Sequence, residues 1–356
     1  MSDTLPVTVL TGFLGSGKTT LLNHLLAQPG LSDTAVLINE FGEVGLDHLL
    51  VRHVNEDIVV LNSGCVCCTV RGDLVTALRD LFLKRVKGEV PEFGRVVIET
   101  TGLADPAPVI HTLMTDPLLA SRYRLDGIAA TVDAVTGETS LDRHAEAVKQ
   151  AAMADRLVLT KADLADPTRV EVLRARLRGL NPGAPILAAA HGRLDPAALL
   201  EAGLFTSRGK IPDVESWLHA EAVAAAQDAR HDHGHGHGHG HGHGHRHHHD
   251  VNRHDASIGA FVFTRDRPVS WPALAFALEL LVSTRGENLL RIKGIVNVRD
   301  REQPLAVHGV QHIFHPPVPL PAWPDADRRT RIVFITRNLA RAAVEELLAG
   351  VCSMDE

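Results

Sequence analysis

The chain has 356 residues, more than one ordinary core accommodates, and with 45% hydrophobic and 22% charged residues its composition is globular, so two domains are expected. A formal net charge of -7 without a basic tract argues against nucleic-acid binding, and no apolar run reaches the roughly 18 residues of a membrane span. The polar opening Met1-Ser2-Asp3-Thr4 and a total of four cysteines lead us to expect a cytoplasmic, reducing setting, where thiols serve as metal ligands or reactive groups.

The first expected strand, Val7 to Thr11, runs into Gly12-Phe13-Leu14-Gly15-Ser16-Gly17-Lys18-Thr19-Thr20 and then into a helical Leu21 to Leu26. This is GxxxxGK[ST] between a strand and a helix, the context in which the pattern forms a phosphate-binding loop. Backbone N–H groups must approach a polyanion closely, which gives Gly12, Gly15 and Gly17 a steric reason to lack Cβ. The following helix aims its positive end at the same point. Lys18 is expected on the β and γ phosphates, Thr19 offers its hydroxyl to Mg2+, and Ser16 and Thr20 complete the nucleotide contacts.

Apolar runs recur at Ala35 to Ile38, Ile58 to Leu61, Arg95 to Ile98, Ile128 to Val132, Arg156 to Leu159 and Ala184 to Leu187, with helical stretches between them. That alternation predicts an α/β fold, the parallel sheet of P-loop NTPases with helices on both faces. Ligands of such sheets lie beyond the carboxyl ends of the strands. The unusual residues gather there: Asn39-Glu40, Asn62 to Cys68, Glu99-Thr100-Thr101-Gly102, Asp133 and Lys161-Ala162-Asp163. After the first domain, expected over residues 1–205, a linker over 206–255 carries a His-Gly alternation with no apolar residue for a core. A smaller α+β domain of four strands and two helices is expected over 256–356.

Glu99 closes a strand and Gly102 follows three residues later, placed to hold an acidic group near Mg2+ and a glycine N–H near the γ phosphate. Lys18, Thr19 and Glu99 are thus the candidate catalytic residues. Thr160-Lys161-Ala162-Asp163 has the form of a base-reading [NT]KxD signature: guanine presents two adjacent donors that one carboxylate, Asp163, can accept, and the stem of Lys161 can lie along the purine. GTP is therefore the expected nucleotide. Gly64-Cys65-Val66-Cys67-Cys68 offers two or three thiolates to a soft or borderline cation such as Zn2+, Co2+ or Cu+, with Zn2+ or Co2+ expected. A further ligand has to come from Glu40, Asp47, His48, His53 or water, and an incomplete shell suits a metal that must leave again. Eleven of the 22 histidines, among them His233, His235 and His237, fall between His231 and His249, a high-capacity, low-specificity metal collector. Asp105, His111, His191 and Cys352 read as ordinary surface or packing residues.

Together these motifs resemble the CobW family of P-loop GTPases, in the group of the urease and hydrogenase nickel accessory GTPases. The resemblance runs from Gly12 to Thr19 through Asn39-Glu40-Phe41-Gly42, Asn62 to Cys68, Glu99 to Gly102 and Thr160 to Asp163, and on to Arg291-Ile292-Lys293-Gly294 and Gly309-Val310-Gln311-His312. Thr160 stands where many GTPases carry Asn. The resemblance implies GTP-dependent delivery of zinc or cobalt to a client protein, with cobalamin biosynthesis the setting for some members. A His-rich metal store or buffer, using nucleotide only for regulation, is the alternative.

Overall fold

Strands without a polar face have to be covered on both sides, and the central strands of the first sheet are. The computed structural model describes residues 4–28, 31, 33–39, 59–63, 70–200 and 257–353. Strands β1 (Leu5–Gly12), β2 (Thr34–Asn39), β3 (Val59–Ser63), β4 (Arg95–Glu99), β5 (Tyr123–Asp133), β6 (Arg156–Thr160) and β7 (Ile186–Ala189) form one parallel sheet in the order β3-β2-β4-β1-β5-β6-β7. Alternate residues of each strand serve opposite faces. Val7, Val9, Leu37 and Ile98 pack toward helices α2 (Val70–Lys87), α3 (Ala107–Thr115), α6 (Ala145–Met153) and α7 (Pro167–Leu180). Leu10, Val36, Ile38 and Val97 pack toward α1 (Lys18–Leu26) and the short α8 (Pro196–Leu199) on the other face. Between α3 and α6 lie two further short helices, α4 (Pro117–Ala120) and α5 (Gly137–Arg143).

The C-terminal domain is a separate antiparallel sheet in the order β11-β10-β9-β13-β8, built from β8 (Ile258–Arg265), β9 (Leu289–Val296), β10 (Leu305–Val310), β11 (Ile313–Phe314) and β13 (Thr330–Arg337). A sixth strand, β12 (Val318–Pro319), pairs with β10. The sequence led us to expect four strands. One extra strand arises where the expected run from Leu305 to Phe314 folds back on itself at Gln311, whose φ of 51° lies in the left-handed region, and the other is β12, two residues of the following Pro-rich stretch that pair with the start of β10. Two helices, α9 (Trp271–Arg285) and α10 (Arg341–Ser353), cover one face around Phe261, Leu278, Ile332 and Phe334. No described helix is long and apolar enough to cross a membrane. The expected linker and its histidine tract lie outside the described residues.

The other face of the second sheet is covered by the first domain. Leu290, Val310, Ile313 and Ile335 belong to the same apolar core as Val148, Leu173 and Leu177 of α6 and α7. At the centre of this contact is a buried charge cluster. Asp155, just after α6, accepts from Arg291 and from Lys293 at 2.7 Å, and its second oxygen accepts the Ile128 N–H at 2.9 Å. Burial alone would raise the Asp155 carboxyl, but the facing Arg291 and Lys293 outweigh it and hold the carboxyl below its ordinary 3.8. Burial pulls the Lys293 ammonium down to about 8.

His308 lies opposite Lys293 on β10 and stacks on His315 with ring centroids 4.4 Å apart. Burial, then the cations of Arg291 and Lys293, hold His308 well below 6.5 and His315 at about 4. Both rings are therefore neutral at pH 7. As pH falls from 6.5 toward 4, the unfolded chain takes up protons that the folded chain refuses. Each ring should then lower stability by up to about 1.4 kcal/mol per pH unit. Urea unfolding across this window should show that loss, and His308→Gln with His315→Gln should flatten it. An unchanged pH slope in the double variant would show that the pair is not the acid-sensitive element.

Candidate functional site

The first twelve residues bring β1 to the middle of the sheet, and the chain leaves it at Gly12 with φ 139°. A Cβ on Gly12 would stand 2.2 Å from Thr131 Oγ1 and 2.5 Å from its carbonyl, so glycine is the residue that lets β1 pass beside β5 here. Gly15 and Gly17 take the left-handed φ values of 69° and 88°, and Gly17 caps α1. A Cβ added at Gly15 would meet no atom of the described residues within 4 Å beyond its chain neighbours. Lys18 is buried and its Nζ donates to the carbonyls of Gly12 at 2.9 Å and Phe13 at 3.2 Å, so the ammonium is folded across the loop.

Ends of four adjacent strands fix the loop from outside. Ser16 Oγ lies 2.6 Å from Thr131 Oγ1 of β5, and Thr160 Oγ1 of β6 donates to the Ser16 carbonyl at 2.8 Å. Thr100 Oγ1 donates to Thr11 Oγ1 at 2.9 Å. Glu99, at the end of β4 and buried, accepts from Thr19 Oγ1 at 2.8 Å. A hydroxyl and a carboxylate are hard oxygen donors, the set that Mg2+ takes while keeping several of its own waters, so this pair fits the ion expected there. Gly102 then lies directly against the phosphate-binding loop: an added Cβ would be 2.7 Å from the Leu14 N and 2.8 Å from its Cα.

After β6 the backbone turns at Lys161, a non-glycine residue with φ 55°. Its Nζ donates to the Gly15 carbonyl at 2.8 Å and pairs with Asp133 Oδ2 at 2.7 Å. Asp133 is held in turn by the N–H groups of Val135 and Thr136. Lys161 thus ties the turn after β6 to the phosphate-binding loop and to the end of β5. Asp163 lies 3.4 Å from His191 Nδ1, which follows β7.

Gly12, Gly15, Ser16, Gly17, Lys18, Thr19, Thr20, Glu99, Gly102, Lys161 and Asp163 all fall at the carboxyl ends of β1, β4 and β6 or on the loops and helix that start there. Glu40, Cys65, Cys67, Cys68, His233, His235 and His237, with Asp47, His48 and His53, lie outside the described residues. Among the described residues no group of three or more His, Cys, Asp or Glu side chains is arranged to hold a metal ion. Sequence reading set His191 aside although it faces Asp163, and it gave no part to Gln150, which donates to the carbonyls of Gly102 and Ala104. Each follows or ends a regular element, and only the partner across the fold distinguishes it from a solvated residue.

The nucleotide-binding domain of CobW/HypB/UreG proteins matches residues 6–188, and the C-terminal domain of cobalamin synthesis protein CobW matches residues 258–352. The zinc chaperone YjiA of Escherichia coli is 33% identical over 98% of this chain and 98% of that protein. The zinc chaperone CobW of Pseudomonas aeruginosa is 31% identical over 97% of this chain and 90% of that one. A crystal structure of zinc-bound YjiA GTPase from E. coli aligns over 98% of this chain and 99% of that chain, with a TM-score of 0.70 at 28% identity.

The contact of Gly102 with Leu14 is backbone against backbone and cannot relax by a rotamer change. Gly102→Ala should therefore push the 102–105 loop off the phosphate-binding loop at a stability cost of about 1–3 kcal/mol. GTP hydrolysis should fall at least about tenfold, corresponding to about 1.4 kcal/mol of transition-state stabilisation. Initial rates and thermal unfolding of the variant check both, and a variant with the wild-type rate would remove Gly102 from the site.

Proposed function

Because the chain belongs to the CobW/HypB/UreG family and is a P-loop GTPase of that family, we propose that it uses GTP to hold and release a zinc ion destined for a client protein. The observation that carries this reading is the arrangement of strand ends. β2 and β3 are parallel neighbours with Asn39 opposite Ser63, and β2 pairs on its other side with β4, where Ile38 is opposite Glu99. The chain leaves these ends one residue before Glu40 and two before Cys65. The proposed metal-binding residues therefore follow directly on β2, the neighbour of the strand that carries Glu99, and on β3, one strand farther out.

In this reading Gly12, Gly15, Ser16, Gly17, Lys18, Thr19 and Thr20 bind the phosphates, and the Gly102 N–H contacts the γ phosphate. Thr19 and Glu99 would hold Mg2+, which when bound neutralises charge on the phosphate oxygens. Asp163 accepts the paired donors of guanine and Lys161 lines the base. Glu40, Cys65, Cys67 and Cys68 supply the donors for zinc, a borderline ion well matched to thiolate and carboxylate. Donor chemistry alone would admit cobalt as well, and the zinc-chaperone relatives favour zinc. The histidines of the 206–255 linker, His233, His235 and His237 among them, gather the ion before it is loaded. Hydrolysis removes the contacts that order the segments after β2 and β3, and the ion is released. Moving such a site from nearly closed to nearly open requires about 5.5 kcal/mol of differential binding.

A zinc competition titration tests this on protein lacking Asp232 to His249, in Mg2+ with GDP and again with a non-hydrolysable GTP analogue. Zinc affinity should differ at least tenfold between the two nucleotides, about 1.4 kcal/mol of coupling, and the site should be lost in Cys67→Ala while GTP binding persists. Lys18→Ala should lose nucleotide and keep zinc. Affinity indifferent to nucleotide would overturn the gated reading in favour of a passive metal store.

A further inference from the structure

Gly102 presents a conformational problem that the rest of the site does not solve. Its closeness to Leu14 demands glycine, and glycine leaves its own φ and ψ nearly unrestrained. A peptide that must report a single phosphate needs an outside restraint. The structure supplies one in Gln150, on the last turn of α6 and 1% exposed. Its Nε2 donates to the Gly102 carbonyl at 3.2 Å and to the Ala104 carbonyl at 2.9 Å, on either side of the exposed Leu103. Beside it Lys149 pairs with Asp105 at 2.5 Å, and Asp105 Oδ1 accepts the Ala107 N–H at the start of α3. Four residues of the loop, 102 to 105, are thus spanned by two neighbouring side chains of one helix.

Only the donor end of the Gln150 amide is used. Both Nε2 partners are carbonyl oxygens, which settles the orientation of the amide, whereas Oε1 is buried without a donor among the described residues. A side chain retained for packing alone would not need that amine. The helix it acts from is itself fixed: Asn181 Nδ2 donates to the carbonyls of Ala151, Ala152 and Ala154, and Arg291 of the C-terminal sheet donates to the Met153 carbonyl at 3.1 Å. Gln150 is one turn from this anchor.

We propose that Gln150 is a positioning residue for GTP hydrolysis, restraining the Gly102 peptide through its carbonyl so that the loop meets the terminal phosphate in one conformation. The inference rests on the proposed role of Gly102 at the γ phosphate. Since GDP lacks that phosphate, the effect of losing Gln150 should be selective.

Gln150→Met keeps length and apolar volume and removes the donor. Its kcat should fall about tenfold or more, and its affinity for a non-hydrolysable GTP analogue should fall about fivefold or more, while GDP affinity stays within about twofold. Gln150→Glu keeps the shape, but its carboxyl can donate only when protonated. It should be as defective as Gln150→Met at pH 8 and recover part of the lost rate at pH 6, relative to wild type at each pH. This second variant decides the matter if Gln150→Met fails to fold. Equal losses for GDP and the analogue, or a kcat within twofold of wild type, would overturn the proposal while leaving the GTPase site intact. Wild-type protein that hydrolyses GTP no faster than Lys18→Ala would instead overturn the underlying phosphate-site reading, and the proposal with it.

Discussion

One buried carboxylate determines how the two halves of the molecule meet. Asp155 is 4% exposed and faces Arg291 and Lys293 across the domain contact. A buried ion pair adds little net stability over apolar side chains of the same volume, whereas stranding one of its charges costs about 3–5 kcal/mol. The apolar residues around it, Leu290, Val310, Ile313 and Ile335 against α6 and α7, supply most of the adhesion and would tolerate sliding. The ionic group does not tolerate sliding. Any docking that separates Asp155 from its cations leaves them desolvated and unmatched, so the cluster acts chiefly against wrong arrangements.

That placement matters because Asp155 directly follows the helix that also holds residues 102–105. α6 presents Lys149 and Gln150 to residues 102–105 and, within one further turn, its last residue Met153 and then Asp155 meet the C-terminal sheet. The second domain is therefore attached to the same helix that holds residues 102–105 against the phosphate-binding loop, not to a remote surface. The phosphate-binding loop shows a similar logic on a smaller scale. Thr11, Thr100, Thr131 and Thr160 come from four strands and place hydroxyls around Ser16 and the strand end. The loop is held by bonds from the sheet itself, and such fixed donors and dipoles are what electrostatic preorganisation requires.

The parts of this architecture legible in the sequence are those whose cause is local. Strands buried on both faces must be apolar throughout, and a loop that wraps phosphate must carry glycine at fixed intervals, so β1, β2, β4, β5 and β6 and the turn at Gly12 to Thr19 can be read directly. Glu99, the last residue of β4 and three before Gly102, and Asp163, two after the Lys161 that follows β6, stand out in the sequence by those fixed offsets. The domain contact is not. Arg291 and Lys293 alternate with Ile292 and Gly294 on β9, the pattern of a strand with one wet face, and only Asp155, 136 residues earlier, makes that face dry. Gln150 in an Ala-rich helix and His191 after a short strand are ambiguous for the same reason: the group each one serves lies far away along the chain. The reversal at Gln311, which splits one expected strand into β10 and β11, depends on a left-handed residue that is not glycine and so escaped the usual turn signal.

Reciprocity constrains how such a protein can work as a carrier. If GTP tightens zinc binding by some factor, zinc must tighten GTP binding by the same factor, since both are one coupling free energy. Loading with metal then secures the nucleotide, and loading with nucleotide secures the metal, so at equilibrium neither helps the other leave. Release has to come from an irreversible step that changes one ligand chemically, and hydrolysis of the γ phosphate is such a step. A carrier of this kind gains from slow unassisted hydrolysis, because a fast one would empty the site before a client was met. The proposed role of Gln150 belongs to that step and not to the delay before it: holding the Gly102 peptide in one conformation favours hydrolysis, so the slowness has to come from what the unassisted site lacks and a client could supply.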